Sequence, residues 1–457
     1  MADNAGQQTD SPSSATKESG PPMDSPTSAP TLKRYVILSL IFITVVINYL
    51  DRTNISVAEL EIREDLGMTK IQMGYVFSAF GWTYMLLQIP GGIVADVFRP
   101  RAIYAALLSL WSVVTILQAF CTSTFGFVLC RLGIGAFEAP AYPINNRIVT
   151  KWFPERERAT AIAIYTSGQF LGLAALQPLL SYLLAIELGW QMLFIISGVV
   201  GLAWAVVWIF LYRDPENHPS VSQSELDMIA QGGGLVEQKV GVSEPPQFKW
   251  DDLKTAFAHR KLWGIYISQF CLGTFFVFFL TWFPTYLKED RGIDVKTAGY
   301  LAALPFIAGF FGVLMSGTLS DYLTRKNVSA GIARKAPVLT GMILSAAMLG
   351  VNYVEDRRLM ITFLCLAFFG YGLASINWVF VSLIAPKRLL GLVGGVFNFF
   401  GGIAAILTPI IIGYAIEGEN GSFEMAFFYI SAVAVLGFCS YIFLVGRVER
   451  IEVDDAS

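Results

Sequence analysis

One polar interruption divides a chain that is otherwise a succession of apolar stretches, each about as long as a membrane-crossing helix. That rhythm limits the fold more than any other property of the sequence. A bilayer core takes roughly 20 apolar residues per helix, and its lack of water forces each span to satisfy its own backbone polar groups. Apolar segments fall at about 35–57, 72–94, 102–120, 124–147, 159–184 and 190–211. Residues 212 to 260 are polar and carry RDPENHPS, three consecutive glycines (232–234) and Pro245-Pro246. Six more apolar segments follow at about 262–285, 297–319, 334–353, 358–384, 390–416 and 424–445. The expected fold is an all-α polytopic membrane protein with 12 transmembrane helices in two six-helix bundles. Its expected parts are a tail (1–31), an N-terminal bundle (32–211), a linker (212–260), a C-terminal bundle (261–446) and a second tail (447–457).

Composition agrees. With 54% hydrophobic and only 15% charged residues, a water-exposed surface would be covered by apolar patches, which excludes an ordinary soluble enzyme. A net charge of -3 gives no basic surface for nucleic acid. The five cysteines lie in apolar runs without ligand spacing, so they read as small hydrophobes, and no metal or organic cofactor is expected. The two histidines, His218 and His259, lie in the polar linker.

Residues 1 to 31 are rich in Ser, Pro, Thr and Asp without periodicity, and predict a disordered tail. They lack the basic start and early apolar run of a signal peptide, so the first helix is expected to be retained. Basic residues stay on the cytoplasmic side of a membrane. Placing both termini and the even-to-odd connections on one side puts 22 of the 32 Lys and Arg there and seven on the other, leaving out remote Lys17. Both termini are therefore expected to be cytoplasmic. Arg52 and Arg131 remain, inside apolar segments.

The halves echo each other. Gly92, Asp96, Arg99 and Arg101 follow the second segment, and Gly317, Asp321, Arg325 and Lys326 follow the eighth, at an offset of 225 residues. Matching signatures in a six-plus-six chain point to duplicated bundles around a central path. The glycines would let a neighbouring helix approach, and the charges would latch helix ends together, so these eight residues are candidates for gating.

Charges inside apolar segments are expensive unless paired or wet. Asp51 and Arg52, in NYLDRTN, fall about two-thirds along the first segment; an end position in the headgroup zone is the bland alternative. Arg131 and Glu138, in CRLGIGAFEAP, are seven residues apart and share one helix face. Two helices of one half each offer a base and an acid, which fits a proton-linked anion site; a structural ion-pair network is the alternative. Arg52 is the first choice for a substrate carboxylate, because its planar fork never deprotonates. A carboxyl group in a water-poor cavity favours its neutral form, so Asp51 or Glu138 suits proton uptake and release, with Arg131 able to pair with either acid. Gln169, Ser375, Asn377 and Asn398 suit hydroxyl-rich substrate atoms, and Tyr49, Tyr84 and Trp378 suit amphipathic walls.

Several long strings carry a likeness: IFITVVINYLDRTNISVA, MGYVFSAFGWTYMLLQIPGG, FEAPAYPINNRIVTKWFPERERA, YTSGQFLGLA, FFLTWFPTYL and LLGLVGGVFNFFGG. Over about residues 33 to 450 the chain resembles the anion:cation symporter family of the major facilitator superfamily. The resemblance implies that family's fold, alternating access, and proton-coupled import of a sugar-acid anion, a hexonate such as D-galactonate before a hexuronate or hexarate. It implies that Arg52 binds the substrate carboxylate and that Asp51 and Glu138 are proton-linked, with Arg131 acting on the helix-1 acid. It further implies that Tyr49, Tyr84, Gln169, Ser375, Trp378 and Asn398 line the site. Phe98 and Pro100 interrupt the charges after Gly92 and depart from the superfamily's more basic loop. The partners implied are the anion, protons and lipid, with a monomer as the working unit in a bacterial inner membrane. A facilitative organic-anion carrier would share Arg52 without needing two acids. A membrane enzyme lacks a catalytic cluster, and a channel lacks a repeated filter sequence.

Overall fold

The computed structural model describes residues 31–235, 250–386, 389–417 and 422–452, without the side chains of Asp96, Trp250, Asp251, Asp321 and Ala330. The expected N-terminal tail, apart from Thr31, and the last five residues lie outside the described residues, as do 236–249 of the linker. Regular structure among the described residues is helical throughout. The N-terminal half contributes α1 (Lys33–Leu66), α2 (Lys70–Leu86), α3 (Gln88–Val97), α4 (Pro100–Gln118), α5 (Thr124–Glu138), α6 (Ala141–Trp152), α7 (Glu155–Ala185) and α8 (Trp190–Leu211). The linker holds α9 (Gln223–Gln231) and α10 (Trp250–Ala258). After it come α11 (Arg260–Thr281), α12 (Phe283–Thr285), α13 (Val295–Arg325), α14 (Ala330–Ala346), α15 (Arg357–Ala374), α16 (Trp378–Ile384), α17 (Leu390–Ile416) and α18 (Glu424–Cys439).

Ten helices among the described residues are long and apolar enough to cross a membrane. Two expected segments, 72–94 and 124–147, instead break into shorter pieces at Leu87 and at Ala139-Pro140. Proline explains both breaks, because Pro90 and Pro140 carry no amide hydrogen for the preceding turn. The first segment runs longer than its apolar stretch suggests. Its helix continues to Leu66, where Gly67 takes the left-handed conformation (φ 61°) and its N–H caps the Arg63 carbonyl. Arg63 Nε donates to Glu59 Oε1 at 2.7 Å, one turn away, which carries the helix through its polar end. Asp51 and Arg52 therefore lie mid-helix, not at a helix end.

Two antiparallel helices record how the halves meet. Residues of α2 and α17 touch at Lys70 with Gly413, Gly74 with Pro409, Gly81 with Ala405 and Met85 with Gly402, where a larger residue than glycine would collide. Beyond that level the helices part: a Cβ at Gly92, Gly391 or Gly395 would meet nothing within 4 Å. The closed end is also clasped by charge. Glu289, just after α12, takes Arg63 of α1 and Lys70 of α2, the latter at 3.1 Å. Glu59 Oε2 accepts from Thr285 Oγ1 at 2.6 Å, Lys288 Nζ donates to the Val57 carbonyl at 2.7 Å, and Glu417 Oε2 accepts from the Ile71 amide at 3.1 Å. At the opposite end α9 is pinned to the start of α1, where buried Glu225 holds Arg34 at 3.1 Å.

Candidate functional site

The site lies where α2 and α17 part. Arg52 points from α1 toward α5 and is 8% exposed. Its Nε donates to Glu138 Oε2 at 2.9 Å, and Nη2 lies 2.9 Å from the same oxygen. Glu138 is fully buried at the last residue of α5, so the Pro140 break fixes where that carboxylate stops. The Arg52 guanidinium carbon stands 5.0, 4.6 and 4.8 Å from the ring centroids of Tyr49, Phe80 and Tyr84. An aromatic box of this kind holds a cation in place while leaving its fork available.

Arg131 departs from the expected pairing. Its Nη1 faces the backbone carbonyl of Asp51 at 3.4 Å, and its guanidinium lies 4.9 Å from the Phe80 ring. Among the described residues it makes no ion pair within 4.0 Å, and Glu138 belongs to Arg52 instead. Consecutive side chains of α1 point about 100° apart, so Arg52 reaches Glu138 while Arg131 meets the α1 backbone at the Asp51 carbonyl. Asp51 is fully buried and faces Trp111 and Thr115 of α4.

Tyr49 Oη donates to Gln169 Oε1 at 2.9 Å, which brings α7 into the cluster. Tyr49, Arg52, Tyr84, Arg131, Glu138 and Gln169 are thus gathered with Asp51 in one half. Across the opening, Asn398 shares a helix face with Gly391, Gly395 and Gly402, one turn from the last contact with α2. Trp378 is 48% exposed, 4.9 Å from Phe397, and Ser375 Oγ is turned back onto the Gly372 carbonyl at 2.7 Å. No contact joins these three to Arg52 among the described residues. Asn377 is buried, not lining: Tyr441 Oη donates to its oxygen, and its amide donates to Gln269 Oε1 at 3.3 Å. The Tyr49 ring faces Phe276 at 6.4 Å, and Phe276 stacks on Tyr371 at 5.6 Å. Phe80, Phe276 and Tyr371 were missed by sequence reasoning, since an aromatic residue in an apolar run carries no signal. Asn48, one turn before Arg52 on α1 and beside Glu138, and Tyr142, on α6 just past the Pro140 break and beside Arg52, were not singled out from the sequence either.

Around the repeated motif, Arg101 donates through Nε and Nη2 to the Ile209 carbonyl at 2.9 and 2.8 Å and closes the end of α8. Arg99 precedes Pro100 as the N-cap of α4 and is exposed. Arg147, not singled out by the motif, donates to the carbonyls of Ala95 and Phe98 at the end of α3. Arg325 ends α13, and Lys326 Nζ lies 5.7 Å from the Tyr322 ring. The side chains of Asp96 and Asp321 lie outside the described residues. Gly92 and Gly317 face open space, so the close helix approach expected of them is not made in this conformation. The close approaches lie at the clasped end instead.

A helical membrane protein whose halves close at one end over a buried acid–base cluster has the architecture of a transporter. The sequence matches the Major Facilitator Superfamily over residues 41–409, and the chain belongs to that family of transporters; it is not an enzyme. It is 47% identical over 433 residues, 94% of this chain and all of the other, to the D-galactonate transporter of Escherichia coli O6:H1. It is 40% identical over 431 residues, 92% of this chain and 95% of the other, to the probable galactarate/D-glucarate transporter GudP of Escherichia coli K12. The fold is also that of a bacterial homologue of the human lysosomal transporter Spinster, solved inward-facing and unoccupied. That match has a TM-score of 0.67 at 18% identity and covers 91% of this chain and 96% of that one.

Proposed function

We propose that the protein is a proton-coupled symporter that imports a sugar-acid anion, D-galactonate first, by alternating access across a bacterial inner membrane. The broken pairs α2–α3 and α5–α6 complete 12 spans with the ten long helices, six in residues 32–211 and six in 261–446. The excess of Lys and Arg on one side makes both termini and the linker cytoplasmic, which puts the clasped end outside and the opening inside. The working unit is a monomer, since the two halves already enclose the path.

The observation that carries the reading is the buried Arg52–Glu138 pair in its aromatic box. With the site empty, ionised Glu138 neutralises Arg52. A substrate carboxylate on the same guanidinium would place two anions against one buried cation, which is costly in a medium of low dielectric. A proton on Glu138 removes one of the charges, so anion and proton are taken together. Asp51 is the second proton-linked acid, and Arg131 reports its charge to the α1–α5 contact. Tyr49, Tyr84 and Gln169 offer hydrogen bonds to sugar hydroxyls from one half, and Ser375, Trp378 and Asn398 from the other when it closes. Gly92, Asp96, Arg99, Arg101, Gly317, Asp321, Arg325 and Lys326 serve the inner gate.

A single available guanidinium suits one carboxylate, because Arg131 is turned to a backbone carbonyl. A hexonate with one acid group and several hydroxyls therefore fits better than a hexarate, which carries two. The name of the 47% identical relative points the same way. Uptake into vesicles of purified protein, with galactonate, gluconate, glucuronate and glucarate compared under an imposed pH gradient, tests the reading. Accumulation of galactonate that collapses with the gradient supports it, and gradient-independent equilibration of any of these anions replaces it with a facilitative carrier.

A further inference from the structure

Between Gln118, where α4 ends, and Thr124, where α5 begins, the chain reverses and sets two thiols against each other. The amides of Ala119, Phe120 and Cys121 bond back three residues to the carbonyls of Ile116, Leu117 and Gln118 at 3.0, 3.1 and 3.1 Å, a tight ending to α4. Ser123 is extended and caps α5, its Oγ accepting from the Gly126 amide at 3.3 Å. The antiparallel neighbours then hold their register. A Cβ at Gly133 would lie 3.3 Å from the Val114 side chain, and a Cβ at Gly126, seven residues nearer the turn, would lie 3.3 Å from Cys121 Sγ. Gly126, Cys130 and Gly133 recur at the spacing of one face of α5, so Cys130 faces α4 between those two contacts. Its Sγ lies 3.7 Å from Cys121 Sγ. Both cysteines are half-buried, and Phe120, Thr122 and Ser123 beside them are exposed. The sequence reads the two as separate small hydrophobes; the turn makes them neighbours. No other two thiols are in contact among the described residues.

This turn belongs to the clasped end. Phe127, one turn into α5, packs 5.7 Å from Trp190, whose Nε1 donates at 2.6 Å to Asp65, beside the last residue of α1. We propose that Cys121 and Cys130 are a site of oxidation and join in a disulfide at the outer face of the inner membrane, bracing α4 against α5. Placing them outside rests on the orientation read above. Thiols that face the bacterial periplasm meet an oxidising compartment, unlike those of the cytosol. The oxidant is a second disulfide, carried by a dithiol oxidoreductase of that compartment. The Cys121 thiolate, on the exposed turn, attacks one sulfur of it; a mixed disulfide forms, and the other sulfur leaves and takes up a proton. The Cys130 thiolate then attacks Cys121 Sγ, the bond between the two cysteines forms, and the second sulfur of the oxidant leaves as a thiol. The pair has lost two protons and two electrons, and the oxidant has gained both. A bonded pair needs its sulfurs about 2.05 Å apart, and Cys121, in the turn and not in a helix, supplies the movement. The bond closes a ring over residues 121–130. Cys130 immediately precedes Arg131, so the brace holds the part of α5 that presents Arg131 to the α1 backbone.

Trypsin, cutting after Arg101 and Arg131, releases residues 102–131 as one peptide that holds both cysteines. The full chain, made in a bacterial inner membrane, is quenched with acid, denatured and alkylated with N-ethylmaleimide, with and without prior reduction. In at least about half of the molecules the peptide should take no label without reduction, and with reduction it should take two. Cys271, Cys365 and Cys439 should label equally either way. In purified protein glutathione disulfide should form the same bond and raise the melting temperature by about 3 °C or more, a rise that Cys130→Ser lacks. Two labels without reduction, in protein from cells or after glutathione disulfide, overturn the proposal. A melting temperature that oxidation leaves unmoved overturns the brace. In spheroplasts of cells carrying Cys130→Ser, the remaining Cys121 should react with a membrane-impermeant maleimide. Labelling there places the turn outside whatever its redox state, and its absence overturns the orientation, so the two failures are read apart. None of these readouts depends on which anion is carried or on proton coupling.

Discussion

Replacing Glu138 by Gln should make the protein bind its anion more tightly while ending accumulation. In the empty site Glu138 Oε2 lies 2.9 Å from both Nε and Nη2 of Arg52, and both residues are buried. Removing one partner of a buried ion pair costs about 3–5 kcal/mol. The Gln amide oxygen can still accept a hydrogen bond from the guanidinium, worth about 1.5–3 kcal/mol for a charged donor, and the site borders the opening, where water reaches it. A net destabilisation of the empty protein of about 2 kcal/mol follows. A substrate carboxylate restores the counter-charge, so that energy reappears as affinity, roughly 30-fold at 1.4 kcal/mol per tenfold. In the unaltered protein a proton on Glu138 does what the amide does, so its affinity should rise as pH falls and approach that of the variant, whose own affinity should be flatter with pH. Calorimetric titration with galactonate at several pH values measures both, and ligand-induced thermal stabilisation should be larger in the variant. Equal or weaker binding by a folded Glu138→Gln protein, or normal concentrative uptake through it, would refute the competition between Glu138 and substrate for Arg52.

Arg52→Lys keeps a positive charge but loses the fork and the flat contact with three rings; substrate affinity should fall by at least about tenfold, read by the same titration in a variant whose melting temperature shows it to be folded. Asp51→Asn should abolish pH-driven accumulation and flatten the pH dependence of the inward/outward balance; distances between spin labels on the two halves, taken across pH with and without substrate, check this. Glu289→Gln removes the acid that joins Arg63 and Lys70 across the clasp. These side chains are partly exposed, so the pairs contribute about 0.2–1 kcal/mol each and the outward-facing population should rise severalfold, seen as faster labelling of single cysteines on the clasped surfaces of α2 and α17.

The apolar rhythm foretold the helical architecture because membrane spans must bury oil and satisfy their own backbone. It misplaced breaks where one residue type decides, as at Leu87 before Pro90 and at Ala139-Pro140. It also ended α1 early, because the Glu59–Arg63 pair and the cross-half partners of Glu289 make a polar stretch helical, and no apolar pattern records that. The acid–base cluster was legible because charges are rare in such segments, yet the choice of partners was not. That Glu138 meets Arg52 while Arg131 meets a carbonyl depends on helix rotation and on Phe80, whose ring is in contact with both guanidinium groups. The open space at Gly92 and Gly317 belongs to one conformation of the molecule, and a sequence encodes all of them.

The central claim, that anion and proton are carried together because they meet at the Arg52–Glu138 pair, is tested most directly by measuring both fluxes in one experiment. Vesicles of purified protein with a pH-sensitive dye sealed inside, given galactonate with no imposed gradient, should acidify as the sugar acid enters, with proton and galactonate entry saturating at the same concentration. The Glu138→Gln variant should exchange galactonate without that acidification. Saturable galactonate entry with no proton movement in the unaltered protein would contradict the account.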